Sequence, residues 1–495
     1  MIARFEQSLV VPVGHVAPRR LPHYAVAGAF LALALVVAPL NYGSTRPGGA
    51  SLLALLVGLS ALSWIAGLIR ERRQPFMRPA FLTALCALIF SLTVWTSNAV
   101  APTPMDSFAQ SHLADVVARW PHSVLSLDLS SAVMFHASLG FACWIAADLA
   151  SDRFWLILFS GAIVLTGLVV AALALAQNAT HATGIFWRAE GRMPGRFWGT
   201  FFHHTTAGAY LNTVWPLAAA LAFAMPVLVS RRALRVAITV AAIATFFLIG
   251  AHASHVSRFP QVAALLVVPA FFFLVECVRP IRIGLFAVSA LTGLILVAVF
   301  AGRTDEIAQR WSLFHAEPKT AAALPIPPVG EWPGLVRDDL LIPNRYNPSA
   351  LGDRFESQST ALRAIADRPI TGHGPSNWIA AASEHSRDPY LRSFYLHLQF
   401  AHQSFLHEWA EWGIGGFVSF VLLLGGGVAA AWNAMRSRAT DSVRRIFAVG
   451  SAAALFAVLL QAQLDFPLQI PAVGFNAFVI AGLCWSHANP TLSLS

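Results

Sequence analysis

Twelve runs of apolar residues, each close to the roughly 20 residues that carry a helix across a bilayer, constrain this chain more than any other feature. They fall near 22–43, 48–69, 79–98, 129–147, 154–176, 205–229, 234–252, 259–277, 283–301, 412–434, 446–464 and 471–487. Only 12% of the 495 residues are charged and 57% are hydrophobic, whereas a soluble domain carries about 25% charged residues. In lipid the backbone must satisfy its own polar groups, and apolar runs of this length do so as helices. The expected fold is therefore an all-α polytopic membrane protein of about 12 transmembrane helices. Residues 1–301 would hold helices 1–9 with short loops, 302–411 one large loop, and 412–495 helices 10–12. An even number of crossings places both termini on one side.

A net charge of +9 and a pI near 10.1 would suit a nucleic-acid binder if the basic residues formed one patch. They separate by side instead. With the N-terminus inside, the inner segments hold 17 arginines and 6 acidic residues, and the outer segments hold 16 lysines and arginines against 18 acidic ones. Net +11 faces net −2, so the positive-inside rule sets the orientation, with both termini cytoplasmic. The basic pI then reflects membrane insertion, and nucleic acid is excluded as a partner.

The first run is longer than a signal-peptide core and has no small-residue cleavage pattern, so it reads as a retained anchor. Cys86, Cys143, Cys277 and Cys484 all lie within or at the ends of apolar runs, which argues against disulfides and cysteine metal sites. The 110-residue insertion at 302–411 is too long for a simple connection. Its first part, 321–347, is proline-rich and should run extended. Within 353–368 the sequence DRFESQSTALRAIADR places Phe355, Ala361, Leu362, Ile365 and Ala366 at helical spacing, which predicts an amphipathic helix at the interface, ended by Pro369 and Gly372. A second helical stretch is expected from about residue 391 through AHQSFLHEWAEWGIGG into the tenth run.

Ionisable residues collect where the runs meet the outer surface, and beyond His136 little polar character lies at mid-membrane depth. A transporter lines its path with such groups, so surface chemistry is favoured over conduction. Three outer turns concentrate arginine, histidine and hydroxyl groups: NYGSTRPGG, GRMPGRFWGTFFHHTTAGAYL and AHASHVSRFPQ. Arg196 and Arg258 each precede a run. A guanidinium can clamp phosphate oxygens bidentately, although an interfacial arginine more commonly anchors its span at the headgroup layer. The pairs His203–His204 and His252–His255 have neither the helical i, i+4 spacing nor the carboxylate of a common zinc site, and no metal is expected there. His402, followed by Glu408 and Glu411, offers a titratable base near the surface.

These segments resemble the superfamily of O-antigen ligases and Wzy-type polymerases. Arg196, Gly199, Thr200 and Phe201 in GRFWGTFFHHTTAGAYL match its arginine and glycine-threonine-phenylalanine stretch, with His204 and Thr206 standing where asparagines usually follow. Ser257 and Arg258 match its serine-arginine pair. DRFESQSTALRAIADRPITGHGPSNW is similar to its loop helix and proline-x-x-glycine-x-glycine turn, at Pro369, Gly372 and Gly374. AHQSFLHEWAEWGIGGF matches its histidine motif at His402, Leu406, Glu411, Gly413 and Gly416, with Gln403 in place of asparagine. Weaker echoes are APLNYGSTRPGGA, with Arg46, and LDFPLQIPAVGF.

The resemblance implies a GT-C-type glycosyltransferase of the bacterial inner membrane that faces the periplasm, takes a glycan from an undecaprenyl-diphosphate carrier, and needs no metal or cofactor. His402 would accept the proton of the acceptor hydroxyl during an inverting displacement, Arg196 and Arg258 would bind the diphosphate, and Arg46, His204, Ser257, Gly372, Gly374 and Glu411 would support them. The acceptor would be a lipid A core, a growing glycan or another hydroxyl, which leaves ligase and polymerase both open. A lipid-linked glycan flippase, which also needs many spans and arginines, is the alternative of another class.

Overall fold

A computed structural model describes residues 22–97, 126–188, 197–229, 231–254, 257–278, 350–386, 400–438 and 440–488. The ninth apolar run, 283–301, the proline-rich stretch and the start of the second loop helix expected from about 391 lie outside them. The described residues are helical apart from turns and a single backbone bridge between Trp198 and Phe201. The helices are α1 (Pro22–Leu40), α2 (Gly49–Glu71), α3 (Pro79–Ser97), α4 (Ser126–Leu149), α5 (Arg153–Ala179), α6 (His204–Leu228), α7 (Arg231–Ser254), α8 (Arg258–Val278), α9 (Ala350–Asp367), α10 (Trp378–His385), α11 (Ser404–Arg436), α12 (Ser442–Gln461) and α13 (Pro471–Ser486). Among the described residues eight helices are long and apolar enough to cross a membrane, and shorter apolar helices span Pro79–Trp95, Val236–His252 and Pro471–Ser486. The chain is a multi-pass membrane protein.

The bundle has its centre in α6, α12 and α13. Residues 204–224 of α6 and 472–486 of α13 are buried throughout, and small residues allow the close approach: a Cβ on Gly450 of α12 would sit 2.5 Å from Ala220 Cβ, and one on Gly482 of α13 would meet the Cys143 carbonyl at 2.4 Å. Without a hydrophobic force between helices in lipid, such backbone proximity supplies the packing. The outer helices keep large apolar side chains exposed, among them Leu62, Ile69, Leu165 and Leu265, as a lipid-facing surface requires.

The two ends of the bundle differ in chemistry. At one end Arg73 pairs with the buried Asp148, whose carboxylate also accepts from Trp64 Nε1 at 2.7 Å and from the Phe76 amide at 2.9 Å. Arg153 lies 3.2 Å from Asp441, and Arg444 and Arg78 donate to the carbonyls of Ser151 and Ala488. The opposite end carries the turns between α1 and α2, α5 and α6, α7 and α8, and α12 and α13, together with α9, α10 and the start of α11.

α11 breaks at Gly413, where φ is 69° and ψ −167°, a backbone region open essentially to glycine alone. The break strands carbonyls and amides that an intact helix would pair. The turn after α9 takes them: the amides of His373 and Gly374 donate to the carbonyls of Ala410 and Glu411 at 2.8 and 2.9 Å, and the Ile414 amide reaches the carbonyls of Pro369 and Ile370 at 3.1 and 3.2 Å. Gly372 and Gly413 permit the contact, since a Cβ on either would lie within 2.4 or 2.1 Å of a facing carbonyl oxygen. The glycines of the 369–374 turn are thus a backbone clasp that seats the loop helices on the bundle.

α9 covers the expected amphipathic stretch, but its buried face is rotated from the expected one. Ser357, Thr360, Ala361, Ala364 and Ile365 are buried, whereas Leu362 is 54% exposed and Ala366 also faces out. Ala361, Ala364 and Ile365 join an apolar cluster with Trp378, Ala382 and Ala410, and the polar Ser357 and Thr360 go inward beside it because Ser357 Oγ accepts the His402 amide and Thr360 Oγ1 accepts from Arg363 Nη2.

Gly413→Ala should destabilise the protein by about 1–3 kcal/mol, read as a lower unfolding temperature in detergent. Gly425→Ala is the matched control, because Gly425 has ordinary helical angles and open space around its Cα; it should be neutral or slightly stabilising.

Candidate functional site

The three polar turns singled out in the sequence meet at one end of the bundle. In the first, Gly43 packs on the Phe201 ring, where a Cβ would be 2.8 Å away, and the Tyr42 ring stacks on Phe202 with centroids 5.5 Å apart. Arg46 lies 3.5 Å above the other turn member, Tyr42. Thr200 Oγ1 donates to the Pro39 carbonyl at 2.6 Å, and Gly199, at φ +61°, turns the chain between Trp198 and Phe201. The first outer turn and the glycine-threonine-phenylalanine hairpin are therefore one packed unit. Arg196 lies outside the described residues.

His203 caps α6 by accepting the Thr205 amide at 3.3 Å, and its ring stacks on that of the buried His204. Thr205 ties in the third turn, since Ser257 Oγ donates to Thr205 Oγ1 at 3.0 Å, which places the half-buried Arg258 at the start of α8 on the same rim. Gln461, at the end of α12, donates to the Thr205 carbonyl at 3.2 Å. The next residue, Ala462, accepts the Ser404 amide at 2.9 Å, so the rim continues from Ser257 through Thr205 and Gln461 to the start of α11.

His402 stands immediately before α11. The expected helix through this position does not extend over 400–403: Gln403 is extended, and its side chain caps α11 by accepting the Leu406 amide. Capping of the new helix end outweighs continuation of the apolar pattern. His402 is held from both sides. Its amide donates to Ser357 Oγ at 3.4 Å and its carbonyl accepts from Gln358 Nε2 at 3.2 Å, while its ring packs on Phe466 with centroids 5.3 Å apart. Nδ1 faces Asp465 Oδ1 at 3.8 Å, beyond hydrogen-bond length but within strong electrostatic reach.

Asp465 was not singled out in the sequence, although it lies in the LDFP break between the last two helices. Burial pushes its carboxyl up, but the interactions with His402 and the Arg354 charge outweigh burial and hold it below the usual carboxylate value. Arg354, also missed, donates through Nε to the Leu464 carbonyl at 2.7 Å and lies 4.3 Å above the Phe259 ring. It therefore bridges the Asp465 loop to the residue that follows Arg258. A polar residue one turn into an amphipathic loop helix gives no periodic signal of such a contact.

Glu411 does not face this rim. Its carboxylate is buried and accepts the amides of Ser376 and Trp378 at 3.1 and 2.9 Å, and so holds the N-terminus of α10. His136 pairs with the buried Glu408 at 3.2 Å, its ring 4.0 Å from Trp412. Both glutamates thus serve α11 packing, and Gly372 and Gly374 serve the clasp. A group of metal-ligating side chains, Asp367, His373 and His385, lies at the far end of α9.

Against known proteins, residues 217–421 match the family model described as O-antigen ligase. An uncharacterized protein of Haemophilus influenzae is 30% identical over 81 residues, which are 16% of this chain and 20% of that protein; the chain thus spans about a fifth of that relative's length.

Asp465→Asn should lower stability by about 1–3 kcal/mol at neutral pH. A carboxylate held below its unfolded value contributes above that value, near 3.9, and the contribution fades as pH falls through the lower folded value. Unfolding temperatures of wild type and Asp465→Asn should therefore differ at pH 7 and converge only in acid below about pH 4.

Proposed function

We propose that this protein, matched over residues 217–421 by the family model described as O-antigen ligase, acts as a member of the O-antigen ligase and Wzy superfamily and transfers a glycan from a polyprenyl-diphosphate carrier to an acceptor hydroxyl. The donor would be undecaprenyl-diphosphate-linked, and the active end would face the periplasm from the bacterial inner membrane. The observation that carries this reading is the convergence of His402, Asp465 and the Arg258 turn on one rim.

In the reaction, the acceptor oxygen bonds to the anomeric carbon of the glycan as the bond from that carbon to the diphosphate oxygen breaks. His402 takes the acceptor proton. Asp465 faces Nδ1, so it would favour the tautomer that leaves the other ring nitrogen as the base and would stabilise the imidazolium that forms. Negative charge grows on the departing diphosphate, and Arg258 and Arg196 would stabilise it as fixed cations. The site's own cations thus fill the part that divalent ions play in other phosphate chemistry. Arg46, His204 and Ser257 would shape the donor side of the rim, while Gly372, Gly374 and Glu411 act through the position of the loop.

The arginine-rich end of the bundle supports the orientation, since Arg73, Arg78, Arg153 and Arg444 all gather away from His402. A flippase reading is less well supported, because the ionisable pair within the bundle, His136 and Glu408, is engaged in packing rather than lining a path.

Cells lacking the protein should accumulate carrier-linked glycan, and the length of that glycan separates the two transfer reactions. Long chains stranded on the carrier indicate a ligase, single unextended repeats a polymerase, and an unchanged profile contradicts both. His402→Ala should reproduce the deletion, with at least about a 100-fold loss of transfer.

A further inference from the structure

Asp367 ends α9, His385 ends α10, and His373 lies in the glycine turn between them. His373 Nε2 and His385 Nε2 stand 3.8 and 3.7 Å from Asp367 Oδ2, and the ligand atoms of the three residues all fall within 4.8 Å of one another. Tetrahedral bonds of about 2.0–2.1 Å place neighbouring ligand atoms roughly 3.3–3.4 Å apart, so both histidine–aspartate separations are within about 0.5 Å of that spacing, and closing the remaining histidine–histidine separation, at most 4.8 Å, takes a side-chain adjustment of about an ångström.

The surroundings suit a ligand set. His385 Nδ1 is 2.9 Å from the Ala381 carbonyl; donation there fixes the ring and leaves Nε2 as the lone-pair nitrogen, the usual arrangement of a ligating imidazole. His373 is buried in the turn, between Asp367 and His385. His373 Nε2 also lies 2.9 Å from the Ala364 carbonyl. On metal binding this nitrogen would exchange that contact for the ion, with the ring proton moving to Nδ1. Asp367 is half exposed, which leaves an entry path, and Arg368 Nε at 3.5 Å is its competing partner.

We propose that Asp367, His373 and His385 bind a divalent transition-metal ion of the zinc class that clamps the end of α9 to α10 and to the 369–374 turn. The site is separate from the transfer chemistry. Asp367 lies nine residues beyond Gln358, the residue that holds the His402 carbonyl, which is roughly 14 Å along the helix. The ion would therefore strengthen the clasp without touching the reacting atoms.

The test uses the full chain, purified with a histidine-free tag, stripped with chelator, desalted and titrated with Zn²⁺ by calorimetry, with thermal unfolding followed in parallel. One ion per chain should bind and raise the unfolding temperature. His385→Ala and the exposed Asp367→Asn should each weaken binding at least about tenfold while keeping the helical circular dichroism of the wild type. Equal zinc affinity in wild type and both variants, or a folded wild type that takes up no zinc, would overturn the proposal.

Discussion

A helix that breaks inside a membrane protein strands backbone amides and carbonyls where water is scarce, and the arrangement around α11 follows from how that debt is met at Gly413. The partners come from the 369–374 turn, which pairs with Ala410, Glu411 and Ile414. Because the turn joins α9 to α10, settling these few hydrogen bonds seats both loop helices on the bundle. Glu411 completes the seating by holding the amides at the start of α10. His402 inherits its position from this arrangement, since Ser357 and Gln358 of the seated α9 hold its backbone.

The same logic explains why the polar residues of the chain divide between two ends. Arg73 and Asp148 form a buried pair at one end, surrounded by donors that complete the carboxylate's bonding; a pair of this kind is costly to break and fixes helix register. The other end has charged groups of its own. Arg354 is shared between a carbonyl, an aromatic ring and the field of Asp465, and His402 meets Asp465 only at 3.8 Å.

Much of this was legible in the sequence because lipid imposes a simple rule. Apolar length alone located α1, α2, α5, α6, α8 and α12 to within a few residues, and the three polar turns were expected at one surface, where Thr205 and Ser257 now touch. What escaped depends on partners far apart in the chain. Asp465 has no local pattern, and its significance comes only from the histidine placed beside it by the Ser404–Ala462 contact. The end of the helix expected through His402 was hidden because Gln403, a residue with no strong capping preference, caps through a side chain whose acceptor nothing in the local sequence announces. Spacing places Leu362 on the apolar face of α9, but the cluster with α10 and α11 forms on Ala361, Ala364 and Ile365 and leaves that leucine outward.

In the proposed reaction the donor is held by fixed cations on a rim where His402 then removes a proton, so that binding and chemistry belong to different residues. The direct measurement is paired binding and single-turnover transfer with a purified undecaprenyl-diphosphate-linked glycan, using wild type, Arg258→Ala and His402→Ala. The account predicts that His402→Ala binds donor as wild type does and fails to transfer it, while Arg258→Ala loses donor affinity. Transfer by His402→Ala at the wild-type rate, or unchanged donor binding and turnover by Arg258→Ala, would contradict it.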